Sequence, residues 1–157
     1  MSDSKKSDFN YHPIQLRDIK VLKLSISDNP KFDKEIENED FSDFGFYHMH
    51  SDYDPETKVF AVRVRAVIGQ DPDCMSKEES DLQSPISPFD LDVELVGFFQ
   101  VDESGFDIKH IDSFAERNAP LIVYPYLREH VYSLTTRAGY DSALLPLFEV
   151  PAFRLSK

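Results

Sequence analysis

The segment NAPLIVYPYLREHVYSLTTRAGYDSALLPLFEVPAF, from Asn118 to Phe153, carries the one long helical periodicity in the chain. Apolar side chains recur at Leu121, Tyr124, Leu127, Val131, Leu134 and Ala138, and spacings of three and four put them on one narrow stripe. Asn118 reads as the N-cap, and Pro120 is tolerated because the first N–H groups of a helix have no intrahelical partner. Pro125 would remove a bond to the preceding turn, so the helix either begins near Tyr124 or is kinked there. Gly139 supplies a left-handed stop after Ala138. Just upstream, FDIKHIDSFAERN predicts one or two helical turns through Ile108, Ile111, Phe114 and Ala115.

Everything before that alternates or loops. Ile14 to Ser27 alternates at Ile14, Leu16, Ile19 and Val21, then resumes at Leu22, Leu24 and Ile26, which predicts a long strand with a bulge near Val21 and Leu22. Phe44 to Asp54 puts Phe44, Phe46, His48 and His50 on one face and Gly45, Tyr47, Met49 and Ser51 on the other. The DPET turn leads into Thr57 to Gly69, a second alternating strand and therefore a hairpin partner. Phe89 to Asp102 gives the clearest strand, with Phe89, Leu91, Val93 and Leu95 inward and Asp90, Asp92 and Glu94 toward water. Residues 28–43 are dense in acids and residues 70–88 hold Pro72, Pro85 and Pro88, so both read as loops. Strands followed by one long helix make an α+β domain: a four-stranded antiparallel sheet packed with a C-terminal helix. Residues 1–13 read as a flexible arm and 14–157 as a single domain.

Charge narrows the partners. A net charge of −12 repels nucleic acid and anionic membrane and favours basic chains. Cys74 is the lone cysteine, so no internal disulfide forms and nothing favours an oxidising compartment. The N-terminus lacks the apolar run of a signal peptide, and no stretch reaches the roughly 18 apolar residues of a membrane span, so a cytoplasmic location is expected. Enzyme signatures are missing: no Gly-rich phosphate loop, no Gly-x-Ser-x-Gly elbow and no His-Glu-x-x-His helix. His48 and His50 have ligand-compatible spacing, but no third ligand stands at motif distance, so neither a metal nor a cofactor is expected.

The last third of the chain resembles the SecB export chaperones. In that family an Asn-Ile-Leu-Phe-Pro-Tyr-Ala-Arg-Glu helix precedes an Arg-Gly-aromatic-Pro turn and a Leu-rich segment. Pro125, Tyr126, Arg128, Glu129, Ser133, Arg137, Gly139, Leu145 and Pro146 stand at matching places, and LRDIKVLKLSISDNP is similar to the family's first strand. The resemblance spans Ile14 to Phe153 and implies an ATP-independent holdase that assembles as a dimer of dimers, a homotetramer with helices between sheets. It further implies an apolar client groove at Phe44, Phe46, Tyr47, Leu145, Leu147, Phe148 and Phe153, and an oligomer interface at Leu121, Tyr124, Leu127, Val131 and Leu134. Its clients would be unfolded preproteins, passed to SecA through an acidic face at Asp18, Asp90, Asp92 and Glu94.

There are departures. Pro146-Leu147-Phe148-Glu149 stands where the family has Pro-Val-Asn-Phe, the chain stops after VPAFRLSK, and only Asp18 keeps an acid of the family's SecA patch. These make a dedicated client, such as the antitoxin of a toxin–antitoxin pair, the alternative expectation. Two rivals come from other classes. One is a ligand-binding or enzymatic cup depending on His48, His50 and Arg128; the other is an adaptor for one folded partner at Phe44 to Tyr47.

Overall fold

The computed structural model describes residues 8–30, 32, 44–69 and 87–149. The strands β1 (Ile14–Asp28), β2 (Phe44–His50), β3 (Val59–Ile68) and β4 (Phe89–Val101) form one antiparallel sheet in the order β1-β4-β3-β2. A 3-10 turn at Ile108–His110 leads into the short helix α1 (Ile111–Arg117) and the long helix α2 (Ala119–Arg137). The expected four-stranded sheet with one long C-terminal helix is therefore present. Most of the two predicted loops lies outside the described residues.

Local chemistry explains the boundaries. β2 stops at His50, short of the expected Asp54, because Asp54 belongs to the hairpin turn. Its carboxylate accepts from the Glu56 N–H and the Thr57 hydroxyl, both at 2.9 Å, and these bonds hold it below the usual carboxylate range. β1 carries the expected bulge, with Leu22 left over between Val21 and Lys23, and a second one at Arg17 between Leu16 and Asp18. At its far end, the Asn29 side chain ties β1 to the start of β4 by donating to Ser87 O and Asp90 Oδ1, each at 3.0 Å.

The helix differs from expectation at its start. Asn118 has helical backbone angles and makes no side-chain cap; its N–H donates to Phe114 O and its carbonyl accepts from Ile122 N. The turn of α1 already feeds α2, so a cap has nothing left to do there. The helix begins at Ala119 and runs through Pro125, which sits on the exposed side. Its end is as predicted: Gly139 has φ +90°, and the pair Gly139 N to Thr136 O and Tyr140 N to Thr135 O closes the last turn.

An α-helix is about 10 Å across and strands lie about 4.8 Å apart, so one helix covers about two strands. α2 lies over β3 and β4 and only brushes β1. Phe60, Val62, Val64, Leu91, Val93, Leu95 and Phe99 from the sheet meet Val123, Leu127 and Val131 from the helix in one dry core. The rings of Phe60 and Phe99 stack 5.1 Å apart. Gly97 marks the closest approach: a Cβ there would lie 2.8 Å from Val123 Cγ2. What α2 cannot reach are the two margins. On β1, Val21 and Leu24 share the inner face with their buried partners Leu95 and Val93, yet both are exposed.

Candidate functional site

On the other margin, beside β2, the chain after the helix folds back along α2. Side chains from one helical face hold it. Thr135 Oγ1 accepts from Ala143 N at 2.9 Å, Thr136 Oγ1 lies 2.7 Å from Ser142 Oγ, and Arg128 Nε donates to Leu145 O at 2.6 Å. The Tyr124 hydroxyl donates to Pro146 O. Tyr124, Arg128 and Thr135 are four and seven residues apart, which is how a period of 3.6 puts them in one line. Tyr140 anchors the near end, its ring 4.8 Å from Phe89 and its hydroxyl on Asp28.

The side chains of this strap divide between core and solvent. Leu145 is 3% exposed and belongs to the core, whereas Leu144 is 64% and Leu147 75% exposed. Phe148 turns back onto the inner face of β2, with ring centroids 5.0 Å from Phe46, 6.3 Å from Phe44 and 4.7 Å from Tyr124. Phe46 also meets Tyr124 edge-on at 5.4 Å. Burial pushes the Tyr124 phenol above its usual range, so it stays a neutral donor. The result is a cluster of four aromatic rings beside β2, with Leu144 and Leu147 exposed on the strap that carries Phe148.

Of the residues expected to line one groove, Phe44, Phe46 and Phe148 come together here, and Leu147 stands exposed next to Phe148 in the chain. Leu145 does not take part, because its side chain is buried in the core. Tyr47 projects from the opposite face of β2, where Arg65 lies 5.8 Å from its ring centroid. Phe153 lies outside the described residues. Leu144 was missed; adjacent Leu144 and Leu145 on an extended segment cannot both face the core, which was its signal.

The expected oligomer stripe requires correction. Tyr124, Leu127 and Val131 are buried by the subunit's own sheet, so they have no surface to offer a neighbouring copy, and Leu121 and Leu134 are partly buried at the helix flanks. The helix instead exposes Ile122, Tyr126 and Tyr132.

The acidic face also differs. Asp92, expected to face water, is buried beneath two cations: Arg65 Nε and an Arg65 terminal nitrogen reach its two oxygens at 2.9 Å, and Lys23 Nζ donates at 2.7 Å. Those bonds, Arg65's foremost, hold its carboxyl below the usual range against the opposing effect of burial. Glu94 pairs with Arg63, Asp90 accepts from Asn29, and exposed Asp18 accepts from the Ile19 N–H at 2.9 Å. The four acids thus do not form one bare patch. His48 stacks on Phe46 at 5.9 Å and His50 Nε2 lies 3.4 Å from Glu116, so the two histidines are engaged separately. Among the described residues no group of three or more His, Cys, Asp or Glu is placed to hold a metal, and no helix is long and apolar enough to cross a membrane.

Comparison with known proteins bears on the fold. No protein-family profile matches the chain. An uncharacterized protein of Methanocaldococcus jannaschii is 38% identical over 64 residues, which is 41% of this chain and 40% of that protein, so the match spans less than half of either. Among solved structures, the SecB-like chaperone of Mycobacterium tuberculosis, in complex with a ChAD peptide from the HigA1 antitoxin, superposes with a TM-score of 0.59 at 20% identity. It covers 89% of this chain and 94% of its own. A Streptococcus agalactiae protein of unknown function gives a TM-score of only 0.39, at 13% identity over 85% of this chain and 97% of its own. The chain has a SecB-like fold.

Proposed function

We propose that this protein is an ATP-independent chaperone that holds extended, non-native polypeptide against the margin beside β2. The carrying observation is a strap that leaves Leu144 and Leu147 exposed and sets a 38%-exposed Phe148 against the Phe44 and Phe46 rings. A contiguous apolar surface of that kind is uncommon on a monomer with no partner for it. The likeness in fold to a chaperone carrying an antitoxin peptide supports the same reading. Copies of the chain would cover the second margin, Val21, Leu22 and Leu24 on β1, together with Ile122, Tyr126 and Tyr132 on α2, in a homotetramer. Work in the cytoplasm without cofactor or membrane insertion belongs to this proposal.

Two forms of it differ in partner. Delivery of preproteins to SecA would need an accessible acidic face, and the pairing of Asp92 and Glu94 with Lys23, Arg65 and Arg63 leaves little of one. That observation favours a dedicated client, such as an antitoxin. The test is stoichiometric suppression of aggregation of several unrelated denatured proteins without ATP, with native mass recorded in the same buffer. Protection of one cognate chain supports the dedicated form, and broad protection supports the general holdase. A chain that protects nothing and binds no extended peptide refutes the chaperone reading.

A further inference from the structure

A second concave surface lies at the end of the sheet where β1 begins and β4 ends. Its volume is about 800 Å³, within the range of small-molecule sites, and its lining includes Gln15, Arg17, Lys58, Gln100 and Glu103. One wall is tied down along its length. His12 stacks on Phe114 with ring centroids 5.6 Å apart, its Nδ1 accepts from the Ile14 N–H at 3.0 Å, and the Gln15 amide donates to its carbonyl at 2.8 Å. Pro13 O accepts from the Asp102 N–H at 2.8 Å, and Gly105 lies so close that a Cβ there would stand 2.9 Å from Pro13 Cβ.

Two backbone irregularities bring cations to this surface. Arg17 is the extra residue of a β1 bulge, a device that re-aims side chains. Lys58, just ahead of β3, has φ 60°, and among the described residues it is the one non-glycine in the left-handed region. Asn or Gly would hold that backbone at less cost, so the turn alone does not account for a lysine there. Among the described residues neither the Arg17 nor the Lys58 side chain has a hydrogen bond or ion pair. Two acids stand on the turn after β4. Asp102 belongs to the turn itself: its Oδ1 accepts from the Ser104 hydroxyl at 2.6 Å and the Ser104 N–H at 3.1 Å, and these bonds, with a smaller pull from Lys58, hold it below the usual carboxylate range. Glu103 is less committed. Its Oε1 accepts from the Tyr53 hydroxyl at 2.7 Å, and burial together with that bond pushes the Tyr53 phenol up to about 12, so it stays a neutral donor.

Charge decides what fits. A plain anion meets Glu103 and the field of a chain carrying −12, and a plain cation meets Arg17 and Lys58. A molecule carrying both signs suits both sides, and a planar carboxylate matches the fork of the Arg17 guanidinium. We infer that this cavity binds a small zwitterion of the amino acid or dipeptide class, its carboxylate on Arg17 and Lys58 and its ammonium on Glu103. Gln100, whose amide both donates and accepts, serves the ligand's neutral polar atoms. The inference stands apart from the chaperone reading, since no residue of β2 or of the strap lines the cavity.

The test is isothermal titration of the full chain with L-glutamine and with glycylglutamine at millimolar concentration. Binding of either supports the site, and the tighter of the two identifies the source. The N-acetylated form of that probe lacks the ammonium and its amidated form lacks the carboxylate; each should bind about tenfold more weakly, the loss of one charge-assisted hydrogen bond. Lys58→Asn suits the positive φ, so it should match or exceed the parent in urea midpoint while weakening the zwitterion about tenfold and not weakening the amidated form. Glu103→Gln keeps an acceptor for Tyr53 and should weaken the zwitterion without weakening the acetylated form. Failure of both probes to bind overturns the inference, as do caps that leave affinity unchanged. A Lys58→Asn variant clearly less stable than the parent assigns that lysine to the fold and overturns it too.

Discussion

Replacing Gly97 by alanine puts a methyl group where α2 rests on the sheet. The new Cβ lies 2.8 Å from Val123 Cγ2 and 3.0 Å from Leu16 Cδ1, both closer than ordinary van der Waals contact. The Leu16 methyl ends a flexible side chain and can move. Val123 cannot swing away, because a β-branched side chain in a helix is held to essentially one rotamer and this one is fully buried. The helix must therefore lift or the strand must shift, an overpacking cost of about 1–3 kcal/mol. For a chain of 157 residues each kcal/mol lowers Tm by about 2–4 °C. Val123→Ala alone removes two buried methyl groups and costs about 2 kcal/mol. In the double variant the alanine at 97 occupies space that the valine has vacated, so its loss should fall short of the sum of the singles by about 1–2 kcal/mol. Urea unfolding followed by circular dichroism at one fixed protein concentration reads all the variants. Additive losses, or a Gly97→Ala variant as stable as the parent, would refute the claim that this contact sets the height of α2.

Phe46→Ala should weaken binding of non-native polypeptide by about tenfold, whereas Tyr47→Ala, on the opposite face of the same strand, should leave it unchanged; titration of a labelled peptide separates them. Tyr124→Phe keeps the ring and removes the bond to Pro146 O, at a cost of about 1 kcal/mol, so the strap from Leu144 to Phe148 should be cleaved faster in limited proteolysis. Asp92→Ala leaves the mostly buried Arg65 guanidinium without its carboxylate and should cost about 3 kcal/mol in urea unfolding. Because the Asp92 pKa is lowered from 3.8 in the folded chain, its contribution is complete above that value and fades as pH falls through the lower folded pKa. The parent should therefore lose stability over that acid range more steeply than Asp92→Asn, measured as urea midpoints between about pH 2 and 6.

What the sequence made legible was local, and what it hid was a matter of neighbours. Alternation located every strand, and it already separated Tyr47 from Phe44 and Phe46, since residues an odd number apart on a strand oppose each other. The second bulge left a trace too: inner positions Leu16 and Ile19 are three apart, as are Val21 and Leu24, and each gap of three holds one extra residue. Asp92 was correctly assigned to the outer face, but its burial depends on Lys23 and Arg65 arriving from the strands on either side, and register across distant strands is not written in any one of them.

The helix posed the harder problem because it is apolar on more than one side. Leu121, Tyr124, Leu127, Val131 and Leu134 form a stripe, yet Val123 is the residue against Gly97, while Ile122, Tyr126 and Tyr132 stay outside. Periodicity alone does not say which stripe meets the sheet of the same subunit. Gly97 does, because only at a residue without a side chain can the helix approach so closely. With α2 fixed over β3 and β4, Val21 and Leu24 on β1 are left exposed and Phe44 and Phe46 on β2 are covered only in part. The margin beside β2 then acquires its strap from the chain that follows Gly139. The fold thus makes its open surfaces by setting one long helix over two of four strands.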